Sequence, residues 1–323
     1  MTILKVAGRT LDLDASGSLA EVNTANTFDS LYGVNSMYGP GEADYMRLID
    51  PGNHSDVWFH FRYYSVGSGN YGGTANALVI FDTNGTPLFT MAKTTSLGAN
   101  VTPVVLGTSN VTGVGVTLLT TTIYFIDIQV VVSGSTTTVS IYINGTLNQT
   151  LTNSNNGGRL NPKGIELYPN RFRYGSGLFG YVSEFFLSTT MTIGQRLASL
   201  RVDSNGSLTG FTGTITDLNT IDASTGMVSD TPGQRHTWNP TAYGGPSKSV
   251  AAVVASMRAE WASGTPSKVA QFLRIGSANY DGSDVTIGTM TMAQEIWHTN
   301  PATSAVWATS DLASLQVGMK SAA

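Results

Sequence analysis

The stretch Thr122-Ile-Tyr-Phe-Ile-Asp-Ile-Gln-Val-Val-Val132 decides the fold class of this chain. It is dense in β-branched and aromatic residues, which fit the pleated, half-buried surface of a strand. Ser133-Gly-Ser135 then leads into Thr138-Val-Ser-Ile-Tyr-Ile143, and Asn144-Gly145 turns the chain into Thr146-Leu-Asn-Gln-Thr150. Because Asn-Gly readily supplies the positive φ angles of a two-residue turn, these segments predict a meander of long antiparallel strands.

The same pattern continues on both sides of this meander. Asp56-Val-Trp-Phe-His-Phe-Arg-Tyr-Tyr64 predicts a buried strand, and residues 77–91, interrupted by Asn84-Gly85, predict a second hairpin. Gly180-Tyr-Val-Ser-Glu-Phe-Phe-Leu187 predicts another strand. In residues 192–200 the apolar side chains recur at helical spacing, which predicts a short helix.

Composition supports an all-β chain with a full core. Charged residues are 12% of the 323 residues, against roughly 25% in an average soluble protein. The chain is therefore poor in the residues that solvate helix surfaces, while its 36 glycines suit a protein of many turns. Hydrophobic residues reach 41% and aromatic residues 9%, enough to build a core.

The length favours two domains. We expect an N-terminal arm or edge strand over residues 1–30, a β-sandwich over 31–202 and a second β-sandwich-like domain over 203–323. Turn residues are concentrated between 203 and 248, where exposed backbone predicts the first proteolytic cuts. The predicted fold class is all-β, with two tandem antiparallel sandwiches and a few short helices.

Several classes of protein are disfavoured by charge and composition. The net charge is −4 and the basic residues form no cluster, so a nucleic-acid partner is not expected. No cysteine is present, which leaves no disulfide framework and no thiolate zinc site. No apolar run approaches the ~18 residues of a membrane span, and the N-terminus shows no export signal, so membrane insertion is not expected.

The first half of the sequence resembles the concanavalin A-like lectin and laminin G superfamily. The resemblance is carried by Trp58-Phe-His-Phe, by Ile126-Asp-Ile-Gln-Val with Val139-Ser-Ile-Tyr-Ile-Asn-Gly145, and by Phe179-Gly-Tyr-Val-Ser-Glu-Phe-Phe-Leu. It implies a sandwich of two antiparallel sheets with jelly-roll topology.

The second half resembles modules of bacteriophage virion proteins. The resembling stretches are Asp230-Thr-Pro-Gly-Gln-Arg-His-Thr-Trp238, Phe272-Leu-Arg-Ile-Gly276, Trp297-His-Thr-Asn-Pro-Ala-Thr303 and Trp307-Ala-Thr-Ser-Asp-Leu312. This resemblance implies a second sandwich placed after the first, in a protein located in the virion.

The sequence offers no pair of carboxylates suited to glycoside hydrolysis. Retaining enzymes need two carboxyl groups ~5 Å apart, most simply from alternate positions of one strand. Asp127 and Glu184 are each isolated among uncharged neighbours and are interpreted as solvent-facing strand residues. We therefore expect no enzymatic activity.

Metal and cofactor chemistry also lack a motif. The histidines, His54, His60, His236 and His298, have no second ligand at a useful spacing, although His60 alternates with Trp58 and Arg62 on one strand face that could line a groove. Tyr280-Asp-Gly-Ser-Asp284 places Asp281 and Asp284 around a glycine as weak calcium candidates, and an ordinary type I turn explains them equally well. No cofactor is predicted.

Glycan binding would require exposed aromatic rings beside polar groups, because sugars combine C–H faces with hydroxyls. The candidate residues share an aromatic ring and a position near predicted strand ends, and they are Tyr63, Tyr64, Tyr71, Tyr168, Phe172 and Tyr174. Sandwich cores also use aromatic residues, so most of these six are expected in the core or in an interface.

These observations favour a non-enzymatic structural component of a bacteriophage virion, present in many copies that contact each other and other virion proteins. The alternative is a glycan-binding adhesion module that recognises cell-surface polysaccharide. Under the structural interpretation, residues 2–14 and 316–323 are candidate contact segments that would become ordered only in the assembly.

Overall fold

The structure is a computed structural model that describes residues 2–7, 13, 15–16, 20–22, 36–38, 44–65, 75–93, 100–119, 121–172, 180–219, 226–261, 264–288 and 291–323. The described chain divides into two compact units, one within residues 2–197 and one within residues 198–323. Both are built almost entirely of antiparallel strands, as the composition predicts. The predicted division into residues 1–30, 31–202 and 203–323 stays a prediction.

The strands of the first unit, in chain order, are β1 (Ile3–Ala7), β2 (Ala15–Ser16), β3 (Ala20–Val22), β4 (Ser36–Tyr38), β5 (Met46–Ile49), β6 (Asp56–Ser65), β7 (Ala75–Asp82), β8 (Pro87–Lys93), β9 (Asn100–Val105), β10 (Val111–Thr112), β11 (Val116–Thr117), β12 (Tyr124–Ser133), β13 (Thr136–Ile143), β14 (Thr146–Asn153), β15 (Pro162–Leu167) and β16 (Gly180–Ser188). A 3-10 turn at Pro169–Arg171 follows β15. In sheet I the order is β14-β13-β12-β6-β16-β4-β3, with β1 also paired to β16. In sheet II the order is β10-β9-β8-β7-β15-β5-β2, with β11 also paired to β9.

The two sheets share one hydrophobic core, which makes the first unit a β-sandwich. Phe59 and Ile128 from sheet I belong to the same buried cluster as Leu78, Phe89 and Ile165 from sheet II. Side chains alternate between the two faces of a strand, so every second residue of β6 enters this core and the others lie on the outer face of sheet I. The chain crosses between the sheets from β5 to β6 to β7 and again from β14 to β15 to β16, as the jelly-roll expectation requires.

The predicted hairpins are confirmed. β7 pairs with β8 and β13 pairs with β14, both antiparallel. In the second hairpin Asn144 has φ 52° and Gly145 has φ 79°, the two positive angles that a type I′ turn demands. The central strands β6, β12 and β13 are paired in a continuous register, so β12 lies in the interior of sheet I.

The second unit contains β17 (Val202–Thr209), α1 (Thr216–Asn219), β18 (Arg235–Pro240), β19 (Ser249–Val250), β20 (Val253–Ala259), β21 (Lys268–Ile275), β22 (Ala278–Asp281), β23 (Val285–Thr286), β24 (Thr291–Trp297), β25 (Trp307–Ala308), a 3-10 turn at Thr309–Ser314, and β26 (Leu315–Ala322). Sheet III has the order β17-β18-β26-β21-β22, with β23 also paired to β21. β19 pairs with β25 and β20 pairs with β24 as two-stranded ribbons. Among the described residues, none of the helices has the length and apolar character that crossing a membrane requires.

A buried glutamine joins sheet III to the β20–β24 ribbon. The side chain of Gln271, on β21, donates hydrogen bonds to the carbonyl oxygens of Ala255 at 2.7 Å and Ala293 at 3.0 Å. Leu273 and Trp307 form a small core between these layers. The second unit is therefore also a two-layer β structure.

The predicted helix over residues 192–200 is wrong. The segment contains a turn at Ile193 and Gly194 and is otherwise irregular. Gly194 has φ 76°, outside the helical region, and the side chains of Thr192 and Arg196 are bonded to residues of sheet I. Tertiary hydrogen bonds thus outweigh a helical spacing of apolar residues that spans only two turns.

The predicted contact segments at the two termini contain strands that pair within the chain. Within a single chain, β1 pairs with β16, and β26 lies between β18 and β21 in the middle of sheet III. Ile3, Leu4 and Val6 are buried. Residues 3–7 and 315–322 therefore have strand partners within their own chain, residues 8–12 and 14 lie outside the described residues, and ordering of the two segments only in an assembly stays a prediction.

Candidate functional site

The structure separates the predicted aromatic residues into two groups. Tyr63 and Phe172 are fully buried and pack against each other in the sandwich core with ring centroids 5.1 Å apart, so their rings are not accessible to a ligand. Tyr64 and Tyr168 are partly exposed. Tyr71 and Tyr174, the remaining two candidates, lie outside the described residues.

Tyr168 belongs to a cluster of rings and charges at one end of sheet II, which we call the tyrosine–arginine cluster. Its members are Tyr45, Arg47, Glu166, Tyr168 and Arg171. The rings of Tyr45 and Tyr168 are 5.5 Å apart, and the guanidinium carbon of Arg171 lies 3.9 Å from the centre of the Tyr168 ring. All five side chains are only partly buried, so rings and charges meet at the surface.

Strand pairing explains why the cluster forms. Tyr45 directly precedes β5 and Tyr168 directly follows β15, and these two strands are antiparallel neighbours in sheet II. The register places Arg47 opposite Glu166. Arg47 alternates with the buried residues Met46 and Leu48, so its side chain lies on the outer face of the sheet.

Glu166 organises the polar part of the cluster. Its carboxylate accepts hydrogen bonds from the Arg47 guanidinium and from the Tyr168 hydroxyl, the latter at 2.9 Å. Burial and, after it, the hydrogen bond to Glu166 raise the pKa of Tyr168 to about 12. Burial lowers the pKa of Arg47, but Glu166 more than offsets this and the pKa of Arg47 is raised. Tyr168 therefore stays a neutral hydrogen-bonding phenol and Arg47 stays charged at physiological pH.

Tyr168 is a candidate from the sequence, whereas its four neighbours in the cluster are not. Arg47 and Glu166 are 119 positions apart, and only the pairing of β5 with β15 makes them neighbours. The one local signal was the alternation in Met46-Arg-Leu-Ile49, which marks Arg47 as an outward residue of a short strand.

Asp127 and Glu184, interpreted from the sequence as solvent-facing, are both buried. Glu184 accepts a hydrogen bond from Arg62 at 2.7 Å. It also accepts two from Arg196, from Nε at 2.9 Å and from Nη2 at 2.8 Å. It also accepts the backbone N–H of Leu197 at 3.1 Å. The prediction was wrong because residues 189–197, which we call the covering segment, lie over the outer face of sheet I at this point.

Asp127 forms a second contact to the same covering segment. Its carboxylate accepts hydrogen bonds from Nδ1 of His60 at 2.7 Å and from the Thr192 hydroxyl at 2.5 Å. The His60 ring stacks on Phe186 with a centroid distance of 4.5 Å. Both acids thus accept hydrogen bonds from neighbouring donors in a closed site. We call this group the ionic cluster, and its members are His60, Arg62, Asp127, Glu184, Thr192 and Arg196.

The weak calcium candidates are paired with cations instead. Asp281 accepts two hydrogen bonds from Arg235, at 2.6 and 2.7 Å, and Lys320 lies within 3.2 Å of Asp281 and 3.6 Å of Asp284. The hydrogen bonds from Arg235 are the main cause of the lowered pKa of Asp281. Among the described residues, no three His, Asp or Glu side chains come together as a metal site would require.

The four histidines serve different local roles. His54 bonds to Asp50 at 2.7 Å within a turn, and His60 belongs to the ionic cluster. His236 accepts the N–H of Phe211 at Nδ1, and burial lowers the pKa of both His236 and His298. None of these arrangements brings two histidines to one site.

Comparison with known proteins places the chain in no family. No protein-family model and no curated protein matches it. Among solved structures, "Cellulose induced protein, Cip1" is 14% identical with a TM-score of 0.37, over 55% of this chain and 88% of that chain. The CBM2 module of the evolved Dit of Lactobacillus casei BL23 phage J-1 is 13% identical with a TM-score of 0.36, over 58% and 94%.

A third similar structure is the binding domain of botulinum neurotoxin serotype C1. It is 11% identical with a TM-score of 0.40, over 74% of this chain and 71% of that chain. At such TM-scores these similarities support no conclusion about the site, which rests on the chain's own geometry.

Proposed function

We propose that the chain is a saccharide-binding module of a bacteriophage particle and that the tyrosine–arginine cluster is its binding site. The observation that carries the proposal is the meeting of two partly exposed tyrosine rings with two arginines and a glutamate on one strand end. Arg171 covers one face of the Tyr168 ring, so sugar C–H groups would pack on its other face and on Tyr45, while the charged groups bond to sugar hydroxyls.

The virion setting of the proposal rests on the resemblance of the second half of the sequence to phage virion modules. A structural role in the particle does not exclude saccharide binding at this cluster. The proposal assigns no catalytic activity to the chain. Asp127 and Glu184, the two acids considered for hydrolysis, are engaged by His60, Thr192, Arg62 and Arg196.

A glycan array probed with the full chain tests the proposal, followed by calorimetric titration of the best oligosaccharide. Tyr168→Ala is expected to weaken binding about tenfold or more, the equivalent of ~1.4 kcal/mol. Tyr168→Phe keeps the ring and loses only the hydroxyl, so a smaller loss is expected. Tyr280→Ala, a partly exposed tyrosine of β22 in the second unit, is the matched control and should bind as the unaltered chain does.

The pH dependence of binding gives an independent readout. Because the pKa of Tyr168 is raised to about 12, the binding constant should stay flat up to about pH 10.5, where a tyrosine with the ordinary pKa of about 10 would have lost most of its proton. Absence of any saccharide ligand on the array, or equal affinity of Tyr168→Ala and the unaltered chain, would refute the proposal.

A further inference from the structure

The outer face of sheet I has a second half that the covering segment leaves open. On β13, Thr137, Val139 and Ile141 are buried, whereas Thr138 and Ser140, which alternate with them, are only partly buried. On β14, Thr150 and Thr152 are exposed. We call these four outward residues the hydroxyl face.

The hydroxyls of this face are bonded in pairs across the two strands. Thr138 and Thr152 lie opposite each other with their hydroxyl oxygens 3.2 Å apart, and those of Ser140 and Thr150 are 3.0 Å apart. The two pairs lie two residues apart along each strand, or about 7 Å. Each pair uses one of its two protons internally and keeps the other, together with unused acceptor lone pairs. The face therefore both donates and accepts.

An amide and an aromatic pair extend the hydroxyl face toward β6. The register aligns Ser140 with Gln129 of β12 and Gln129 with Trp58 of β6. The ring of Trp58 stacks on that of Tyr142 at 5.5 Å with an angle of 30° between the planes. Trp58 is largely buried and Tyr142 only partly, so the tryptophan backs a tyrosine that is accessible from outside.

Charge is scarce on this surface. β13 and β14 contain no charged residue, and the carboxylate of Asp56, at the margin, is occupied by the Gln129 amide at 3.0 and 3.1 Å. An anionic ligand would find no cation on these two strands. A protein partner is also a poor fit, because the cores of protein interfaces are depleted in serine and enriched in large apolar residues.

From this chemistry we infer that the hydroxyl face, with Gln129 and Tyr142, is a binding site for a neutral saccharide. Sugar hydroxyls donate and accept at once, as the paired threonines and serine do, and a pyranose ring has an apolar face that fits against Tyr142. This site differs from the tyrosine–arginine cluster in sheet and in charge, and it does not depend on saccharide binding there.

Titration of the full chain with soluble neutral polysaccharides, namely a β-glucan, a mannan and a galactan, tests this site. The double variant Ser140→Ala/Thr150→Val removes one hydroxyl pair without loss of volume at the valine, and we expect at least about fivefold weaker binding of the neutral polymer. Tyr142→Ala should weaken it about tenfold. Thr286→Val, at an exposed strand threonine of the second unit, is the control that should change nothing.

The outcomes separate the two sites. Loss of neutral-polymer binding in the hydroxyl-face variants, with Tyr168→Ala unaffected, supports the inference whether or not the tyrosine–arginine cluster binds anything. If the chain binds none of the three polymers, the inference is overturned. It is also overturned if the double variant binds them as the unaltered chain does. If the double variant instead alters self-association in sedimentation velocity and leaves polymer binding intact, the face is a protein interface and the inference is wrong.

Discussion

The outer face of sheet I carries two chemically opposite surfaces on the same strands. We call the hydroxyl face together with Gln129 and Tyr142 the open surface. β12 contributes Asp127 to the ionic cluster and, two residues later, Gln129 to the open surface. β6 contributes Arg62 to the cluster and Trp58 to the margin of the open surface. The ionic cluster lies beneath the covering segment, whereas the hydroxyl face has no such cover among the described residues.

The difference shows how the chain uses charge. Burying an ion costs several kcal/mol unless a partner of opposite charge and further hydrogen bonds compensate it. Glu184 meets this condition with two arginines and a backbone N–H, and that arrangement fixes one register for the covering segment. The open surface needs no such fixation, and neutral hydroxyls leave it free of the strong desolvation cost that a ligand would otherwise have to offset.

The largest expected effect follows Glu184→Gln. The variant keeps the shape of the side chain but leaves the guanidiniums of Arg62 and Arg196 without their counter-charge in a closed site. Breaking a buried ion pair in this way typically costs ~3–5 kcal/mol, so the free energy of unfolding should fall by about that amount in urea denaturation. A loss below ~1 kcal/mol would mean that the cluster is well hydrated and that the contrast with the open surface is false.

Asp127→Asn should have the next largest effect. His60 and Thr192 both donate to the same carboxylate oxygen, so the carbonyl of the asparagine can still accept both hydrogen bonds, but it lacks the negative charge that strengthens them. A loss of ~1–3 kcal/mol in the free energy of unfolding is expected. Thr192→Val, which removes the hydroxyl on the covering-segment side alone, should give a smaller loss. If it instead equals the aspartate variant, His60 contributes nothing to the pairing.

Arg196→Lys tests whether geometry or charge holds the covering segment. Lysine keeps the positive charge but cannot form the two-pronged contact that Arg196 makes with Glu184. We expect a loss of ~1 kcal/mol and faster hydrogen exchange of the Leu197 amide, because that N–H shares the same carboxylate. Unchanged exchange at Leu197 would show that charge alone suffices.

The smallest effect is expected on the open surface. Thr150→Val removes an exposed hydroxyl and should change the free energy of unfolding by no more than ~0.5 kcal/mol. Chemical denaturation of this variant beside Glu184→Gln gives the comparison directly. A destabilisation of Thr150→Val that approaches that of the glutamate variant would place the two surfaces in one structural class.

Features of the fold that depend on residues close together in the sequence could be predicted, whereas contacts between residues far apart could not. The Asn144-Gly145 hairpin and the strand β12 were predictable because turn chemistry and β-propensity act between near neighbours. Arg62 and Glu184 are 122 positions apart, and no local pattern announces their pairing. The helix predicted over residues 192–200 was wrong for the same reason. The apolar spacing favoured a helix, but Thr192 and Arg196 bond to strands of sheet I that are distant in the sequence.

Two of the six aromatic candidates, Tyr63 and Phe172, lie in the core, and for Tyr63 the uncertainty in the sequence was which face of its strand enters the core. In Asp56-Val-Trp-Phe-His-Phe-Arg-Tyr-Tyr64 both faces of the strand carry large residues, so the sequence does not show which set enters the core. The structure places Tyr63 in the core and Tyr64 on the outer face. The strands that pair with β6 decide which of its two faces enters the core, and they are distant in the sequence.

The hydrogen bond between Glu184 and Leu197 also has a mechanical consequence. Leu197 is the last residue of the first unit, so tension drawn along the chain from residue 198 reaches the contacts of Glu184 before it reaches any strand of sheet I. Once those contacts and the hydrogen bond between Thr192 and Asp127 yield, residues 189–197 peel away and the molecule lengthens by at most about 30 Å, at roughly 3.4 Å per residue, with the sandwich still intact. In single-molecule pulling this step precedes unfolding, and its force should drop in Glu184→Gln; a chain that unfolds without the early step has no such tether.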